Sequence, residues 1–122
     1  MALKTILYIE DDPDSVVIME GALASLPQVR LCAATSGEEG LRMAAELKPA
    51  LIILDINLPD LNGYEVLHTI RKGLSIRVPV IAYTAQASIA EKQRGLAAGF
   101  SAYLTKPLNL QDFLSTVNGL LV

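Results

Sequence analysis

LIILDINLPD, residues 51–60, contains a run of four apolar residues that stops at a carboxylate. Such a run is typical of a strand that is buried on both faces, as in a parallel sheet. Asp55 opens the loop that follows, where Asp is also common as a solvated turn residue. Asp55 is therefore either an ordinary turn residue or a functional group, and the rest of the chain decides between the two.

Similar apolar runs alternate with helix-length segments along the whole chain. The predicted strands are residues 5–9, 29–34, 51–54, 78–83 and 101–105. Between them, apolar residues at three-to-four spacing predict helices. Helix starts are indicated by Asp12 before Pro13, by Thr35 or Ser36, and by Asn109. A βα unit repeated five times predicts a doubly wound α/β domain, with a parallel sheet and helices on both faces.

Length and composition favour a single globular domain. The 122 residues leave no room for a second domain, and 52% of them are hydrophobic. The net charge of -3 and the scattered basic residues argue against direct nucleic-acid binding. One cysteine excludes a disulfide framework, and no apolar run approaches the ~20 residues needed to span a bilayer. We expect a cytoplasmic domain over residues 1–122, without membrane contact.

Polar side chains with possible chemical roles follow four of the predicted strands. They are Glu10, Asp11 and Asp12 after the first strand, Asp55 after the third, Thr84 after the fourth and Lys106 after the fifth. Each has an ordinary explanation as a helix cap, turn residue, strand residue or solvated charge. Together they lie at the carboxyl ends of the strands, where doubly wound sheets bind their ligands. Their joint placement favours a functional site.

The acidic residues of this group indicate a metal-dependent phosphoryl-transfer site. Carboxylates crowded at one edge repel each other unless a cation is present. Mg²⁺ prefers oxygen ligands and commonly uses one or two carboxylates together with phosphate oxygens. Lys106 would add positive charge, and Asp55 is placed to act as a nucleophile that forms an aspartyl-phosphate.

These motifs resemble the receiver domain of two-component response regulators over essentially the whole chain. They are the acidic pair Glu10–Asp11, LDINLPDLNGYEVL (54–67), AYTAQA (82–87) and YLTKP (103–107). The resemblance implies a flavodoxin-like sheet of order 2-1-3-4-5 and one receiver domain over residues 1–122.

The resemblance also implies the phosphoacceptor and a magnesium site. Asp55 would accept the phosphoryl group. Asp11, Asp55 and the backbone carbonyl of Asn57 would ligate Mg²⁺, and Glu10 would act through a metal-bound water. Asp12 lies one position beyond the matching acids and is interpreted as the cap of the first helix.

The remaining implied roles concern binding of the phosphoryl group and the switch. Thr84 would bond a phosphoryl oxygen, and Lys106 would contact the group by a charge-assisted hydrogen bond. Tyr103 matches the aromatic switch position, which turns inward when Thr84 moves and so remodels the surface of helix 4, strand 5 and helix 5. The Lys106–Pro107 peptide bond is expected to be cis.

Four further features extend the expectations. Asn57 and Gln86 match positions that flank the approach of water and would tune the phosphoryl lifetime. Tyr83 is larger than an aliphatic residue and would alter packing beneath helix 4. Apolar positions near Tyr103 and Ala87 would form a partner surface.

The predicted function is a signalling switch. A sensor histidine kinase or histidine phosphotransfer protein donates the phosphoryl group, and the altered surface regulates a protein target or an attached effector domain. The chain would catalyse only its own phosphorylation and dephosphorylation. A stand-alone regulator and a receiver within a longer protein both stay open.

Three alternative functions remain open, although the sequence disfavours each of them. A flavodoxin-like FMN carrier is disfavoured by the acidic stretch EDDPDS (10–15), which would repel a cofactor phosphate. A phosphatase of the haloacid dehalogenase type would carry its nucleophile on the first strand, whereas Asp55 follows the third strand here. A receiver-like interaction domain that is not phosphorylated is disfavoured because Asp11, Asp55, Thr84 and Lys106 are all present.

Overall fold

The computed structural model describes residues 3–86 and 88–121, which form five successive βα units. The strands are β1 (Lys4–Ile9), β2 (Val29–Ala34), β3 (Leu51–Leu54), β4 (Val80–Thr84) and β5 (Ala102–Thr105). The helices are α1 (Pro13–Leu23), α2 (Gly37–Leu47), α3 (Gly63–His68), α4 (Ile89–Ala98) and α5 (Leu110–Leu120). A π-helical segment, Thr69–Gly73, continues α3. None of the helices within the described ranges is both long and apolar enough to cross a membrane.

All five strands are parallel and lie in the order β2-β1-β3-β4-β5, which confirms the predicted fold and sheet order. The strand ends are in register, with Ile9 beside Leu54 and Leu54 beside Ala82. Residues that follow β1, β3 and β4 therefore meet at one edge of the sheet. All four residues of β3 are buried, as its unbroken apolar run predicts.

The sheet separates two apolar cores because side chains alternate between its faces. Leu7 and Ile9 of β1 pack on the side of α2 and α3. Ile6 and Tyr8 pack on the other side, with Phe113 of α5 and residues of α1. The two faces of this interior strand thus pack against both helical layers.

Each predicted helix start carries a side-chain cap. The side chains of Asp12, Ser36 and Asn109 accept hydrogen bonds from backbone N–H groups at the starts of α1, α2 and α5. The cap of α2 differs from a standard capping box, because the Glu39 carboxylate accepts from the N–H of Thr35 rather than that of Ser36. Thr35 and Ser36 therefore share the two halves of the predicted motif.

Strand β4 begins two residues later than predicted and ends one residue later, at Thr84. The carbonyl of Val78 accepts from the Arg71 guanidinium at 2.7 Å instead of joining the sheet. Pro79 has no N–H to donate, although its carbonyl accepts from Ile52. The Arg71 side chain thus holds the segment before β4. The apolar pattern of the strand does not reveal this contact.

Asp60, in the loop between β3 and α3, binds the start of α2. Its carboxylate accepts from the N–H groups of Gly37 and Glu38 at 2.8 and 2.9 Å. These two bonds satisfy donors that have no partner within the helix. They also lower the pKa of Asp60, with the Glu38 N–H as the largest cause.

We predict that Asp60→Asn lowers the melting temperature at neutral pH but not in acid. A carboxyl whose pKa is lowered by folding stabilises the fold when ionised, and that contribution is lost as pH falls through the lowered pKa. Melting curves of both proteins across the acid range check this, with Asp14→Asn as an exposed control. A constant difference between Asp60→Asn and wild type at every pH would contradict the assignment.

Candidate functional site

Three carboxylates lie together at the carboxyl ends of β1 and β3. Glu10, Asp11 and Asp55 can each place one carboxylate oxygen so that all three oxygens lie within 4.8 Å of one another. The pairing of β1 with β3 brings them together, and the N–H of Asp55 donates to the Ile9 carbonyl at 3.1 Å. We call Glu10, Asp11 and Asp55 the acidic cluster.

Lys106 reaches the acidic cluster from the end of β5. Its Nζ donates to Asp55 Oδ2 at 3.2 Å and also donates to Glu10 Oε1. Its backbone N–H donates to the Thr84 carbonyl at 2.8 Å, which ties the end of β5 to β4. The Lys106–Pro107 peptide bond is cis, as the resemblance implied.

The charges at the site are not balanced by Lys106 alone. Glu10 is only 1% exposed, and burial raises its pKa; the Asp55 charge adds to this, while the bonds from Lys106 oppose it. Burial lowers the pKa of Lys106, but the hydrogen bond to Glu10 and the charges of Asp55 and Glu10 outweigh it, so the net shift is upward. Lys106 is therefore charged, and three carboxylates face one ammonium. Such a site suits a further cation.

The donor set of the acidic cluster fits Mg²⁺. It offers carboxylate oxygens only, which hard divalent cations prefer. Asp11 is exposed and keeps one side of the cluster open, so water and phosphate oxygens have access. Within the described residues, the cluster is the one group of three or more potential metal ligands.

Two tyrosines lie next to the acidic cluster and Lys106. The Tyr8 hydroxyl donates to Glu10 Oε1 at 3.0 Å, and burial followed by the Glu10 charge raises the pKa of Tyr8. The centres of the Tyr83 and Tyr8 rings lie 6.3 Å apart. The Lys106 ammonium lies 5.5 Å from the centre of the Tyr83 ring. Tyr83 packs in the core on the α1 and α5 side. Tyr83 also lines a cavity together with Lys92 of α4, and its expected effect on packing beneath α4 stays a prediction.

Thr84 is fully buried at the end of β4, next to the strand that positions Asp55. Its Oγ1 accepts from the Gln86 N–H at 3.5 Å. The Gln86 side-chain amide donates to Asn57 Oδ1 at 3.1 Å, and the Asn57 N–H donates to Asp55 Oδ1 at 3.2 Å. A chain of bonds therefore joins the loops after β3 and β4.

Tyr103 lies inside the fold, 8% exposed, and not on the surface. Its hydroxyl donates to the Gln86 carbonyl at 2.8 Å. Its ring lies so close to α4 that a Cβ on Gly95 would come within 2.5 Å of it. The β4–α4 loop thus connects Tyr103 to Thr84. Ala87, part of the predicted partner surface, lies outside the described residues.

Known proteins resemble this chain in sequence and in fold. A profile of the response regulator receiver domain matches residues 6–118. The chain belongs to the response regulator receiver family. Receiver domains are signalling switches of two-component systems.

Relatives and solved structures of this receiver domain are similar over nearly all of it. The transcriptional regulatory protein PrrA of Mycobacterium tuberculosis is 36% identical over 95% of this chain and 49% of its own length. The chain thus spans about half the length of this curated relative. The chemotaxis response regulator CheY4 of Vibrio cholerae superposes with a TM-score of 0.85 at 25% identity, covering 98% of this chain and 99% of its own. The Francisella response regulator 1452 receiver domain superposes with a TM-score of 0.88 at 28% identity, and the match covers 97% of this chain and 96% of that one.

Sequence reasoning found the acidic cluster and Lys106 and named Asn57, Gln86 and Tyr103, but it missed Tyr8 and the hydrogen bonds between the loops. Tyr8 was the easiest of these to predict, because it stands two residues before Glu10, a spacing that puts side chains on one face of a strand. The bond between Gln86 and Asn57 and that between Tyr103 and Gln86 join separate loops, and no local pattern marks them.

Proposed function

We propose that this receiver domain is a phosphorylation-driven switch that accepts a phosphoryl group on Asp55. An Asp55 carboxylate oxygen attacks the phosphorus of a phosphohistidine on a partner kinase or phosphotransfer protein. The P–O bond to Asp55 forms as the P–N bond breaks, and the imidazole, which carries a proton on its other ring nitrogen, leaves as the neutral base.

One observation carries this proposal: Asp55 directly follows a fully buried strand and lies beside both Lys106 and the other acidic residues. The buried strand fixes the carboxylate for in-line attack. The Lys106 ammonium, 3.2 Å from Asp55 Oδ2, is placed to stabilise charge on the incoming phosphoryl oxygens. Thr84, at the end of the adjacent strand, is the proposed donor to another phosphoryl oxygen.

Mg²⁺ is the proposed cofactor. Asp11, Asp55 and the backbone carbonyl of Asn57 would hold it, and Glu10 would act through a bound water. When bound, the metal would neutralise carboxylate charge and bind phosphoryl oxygens. Glu10 also bonds to Tyr8 and Lys106, which supports an indirect role.

We predict that Asp11→Ala weakens Mg²⁺ binding at least about tenfold, a loss of ~1.4 kcal/mol or more. The change removes the exposed carboxylate of the acidic cluster and leaves its buried members in place. Calorimetric titration with MgCl₂ measures this directly. Asp14→Ala is the matched control, because Asp14 is an exposed acid that lies outside the cluster. Equal affinity of Asp11→Ala and the control would refute the ligand assignment.

The proposed switch runs from Asp55 to the α4–β5–α5 surface. Phosphorylation adds about −1.5 to −2 units of charge, which must bias a structure with two states. Thr84 and Tyr103 both bond to Gln86, and this shared partner supports their coupling. The output would be a change in binding to a downstream protein or to an attached effector domain.

The experiment that tests the proposed function is intact-mass spectrometry after incubation with acetyl phosphate. We expect one phosphoryl adduct with MgCl₂ and none with EDTA. An adduct that forms equally well without a divalent cation would contradict the role of the metal. No adduct under any condition would favour the receiver-like interaction domain that is not phosphorylated.

A further inference from the structure

A second concave site lies at the end of the sheet opposite the acidic cluster. A cavity of about 400 Å³ opens between the end of α2 and the loop that precedes β4. Six of its lining residues are apolar or small: Ala44, Ala45, Pro49, Leu74, Ile76 and Val78. These residues precede β3 and β4, whereas Asp55 follows β3 and Thr84 is the last residue of β4. The sites therefore lie at opposite ends of the same two strands.

Two cations complete the lining of this cavity. Lys48 and Arg77 are both exposed, and neither forms an ion pair within residues 3–86 and 88–121. The carboxylate of Glu46, in the last turn of α2, pairs with Arg42. The cavity thus combines an apolar lining with positive charge that no carboxylate of the described residues neutralises.

Arg71 supplies a second guanidinium group next to the loop that lines the cavity. Arg71 donates to the carbonyls of Ile76 and Val78 at 3.0 and 2.7 Å, and so holds the loop in place. Burial lowers the pKa of Arg71, and the positive charge of Arg77 lowers it further. Arg71 thus bonds to the carbonyls on either side of Arg77 in the chain, so the loop that carries the Arg77 guanidinium is held in place by a second positive charge.

The backbone around the cavity is unusual at three places. Lys48 and Ser75 have φ values of 48° and 55°, in the left-handed region that residues with a side chain rarely adopt. The π-helical segment Thr69–Gly73 leads into the same loop. Such conformations persist where surrounding contacts hold them, and they concentrate at binding sites. The Arg71 bonds support the loop before β4, whereas the conformation of Lys48 is that of the residue that caps the end of α2.

We propose that this cavity binds a small organic anion with an apolar body and one carboxylate group. Its volume lies within the roughly 300–1,000 Å³ typical of small-molecule sites, which are mostly apolar with a few orienting polar groups. The apolar body would pack between α2 and the loop before β4. The carboxylate would lie between Lys48 and Arg77. This site is independent of the proposed phosphorylation of Asp55.

Octanoate is a suitable probe because it pairs a flexible apolar chain with one carboxylate. Titration of the ¹⁵N-labelled chain is expected to shift amide signals of residues 44–48 and 74–78 saturably. The double variant Lys48→Gln, Arg77→Gln should weaken binding at least tenfold. Octylammonium, with the same chain and opposite charge, should not shift these signals. Asp55→Asn should bind octanoate as wild type does.

Lys72→Gln is the matched control, because it removes a positive charge two residues before Leu74 in the chain, and Lys72 is not part of the lining. Unchanged melting temperatures would show that the double variant folds. Three results would each overturn the proposal: no saturable shifts at these residues, equal weakening in Lys72→Gln and the double variant, or equal binding of octylammonium. Ala45→Phe gives a second test, since a ring that fills the cavity should abolish octanoate binding.

Discussion

Asp55→Asn is expected to fold normally and to gain no phosphoryl group from acetyl phosphate. An amide oxygen is a far weaker nucleophile than a carboxylate, and no other acid of the cluster directly follows β3. Without Mg²⁺, the melting temperature should not fall. One of three crowded carboxylates becomes neutral, while Lys106 keeps its bond to Glu10. Intact mass and melting curves measure the two effects separately.

The control for this variant is Asp14→Asn, which makes the same chemical change at an exposed residue of α1. It should become phosphorylated at the wild-type rate. Phosphorylation of Asp55→Asn at the wild-type level would remove Asp55 from its proposed role. A folded Asp55→Asn without an adduct, beside a phosphorylated control, is the outcome that the geometry predicts.

Gly63→Ala is expected to destabilise the fold by about 1 to 3 kcal/mol, the usual cost of overpacking. A Cβ on Gly63 would lie 2.7 Å from the Ile56 Cα and 3.0 Å from the Asp55 carbonyl oxygen. Both contacts are with backbone, which cannot swing away as the tip of a side chain can. The loop that carries Asp55 must therefore shift, and the phosphorylation rate should fall roughly 10- to 100-fold.

Gly21→Ala is the matched control, because a Cβ there meets no heavy atom within 4 Å. Gly21 lies within α1, where Ala is favoured over Gly by roughly 0.5–1 kcal/mol. Chemical denaturation should show opposite signs for the two variants, and only Gly63→Ala should be phosphorylated slowly. Wild-type stability and rate in Gly63→Ala would show that the loop has more room than its contacts indicate.

The fold was largely predictable because the pattern of apolar residues and the residues at the strand ends are local features of the sequence. The run 51–54 predicted the bounds of β3 correctly, and alternating elements predicted the parallel sheet. The start of β4 was not predictable, since it depends on the bond between Arg71 and Val78. The π-helical segment after α3 also has no local sequence signal.

The candidate site was predictable where a residue directly follows a strand. Glu10, Asp11 and Asp55 meet because β1 and β3 are neighbours, and Lys106 reaches them along the same edge. Contacts between distant loops were not predictable. The inward position of Tyr103, bonded to Gln86, depends on how α4 packs against β5.

The most direct test of the central claim is chemical trapping of the phosphorylated residue. Borohydride reduces an aspartyl-phosphate to homoserine, which proteolysis and mass spectrometry then locate. After incubation with acetyl phosphate and MgCl₂, the account predicts homoserine at residue 55 and at no other position. Homoserine at Asp11 or another residue, or a phosphoryl adduct that borohydride does not reduce, would contradict it.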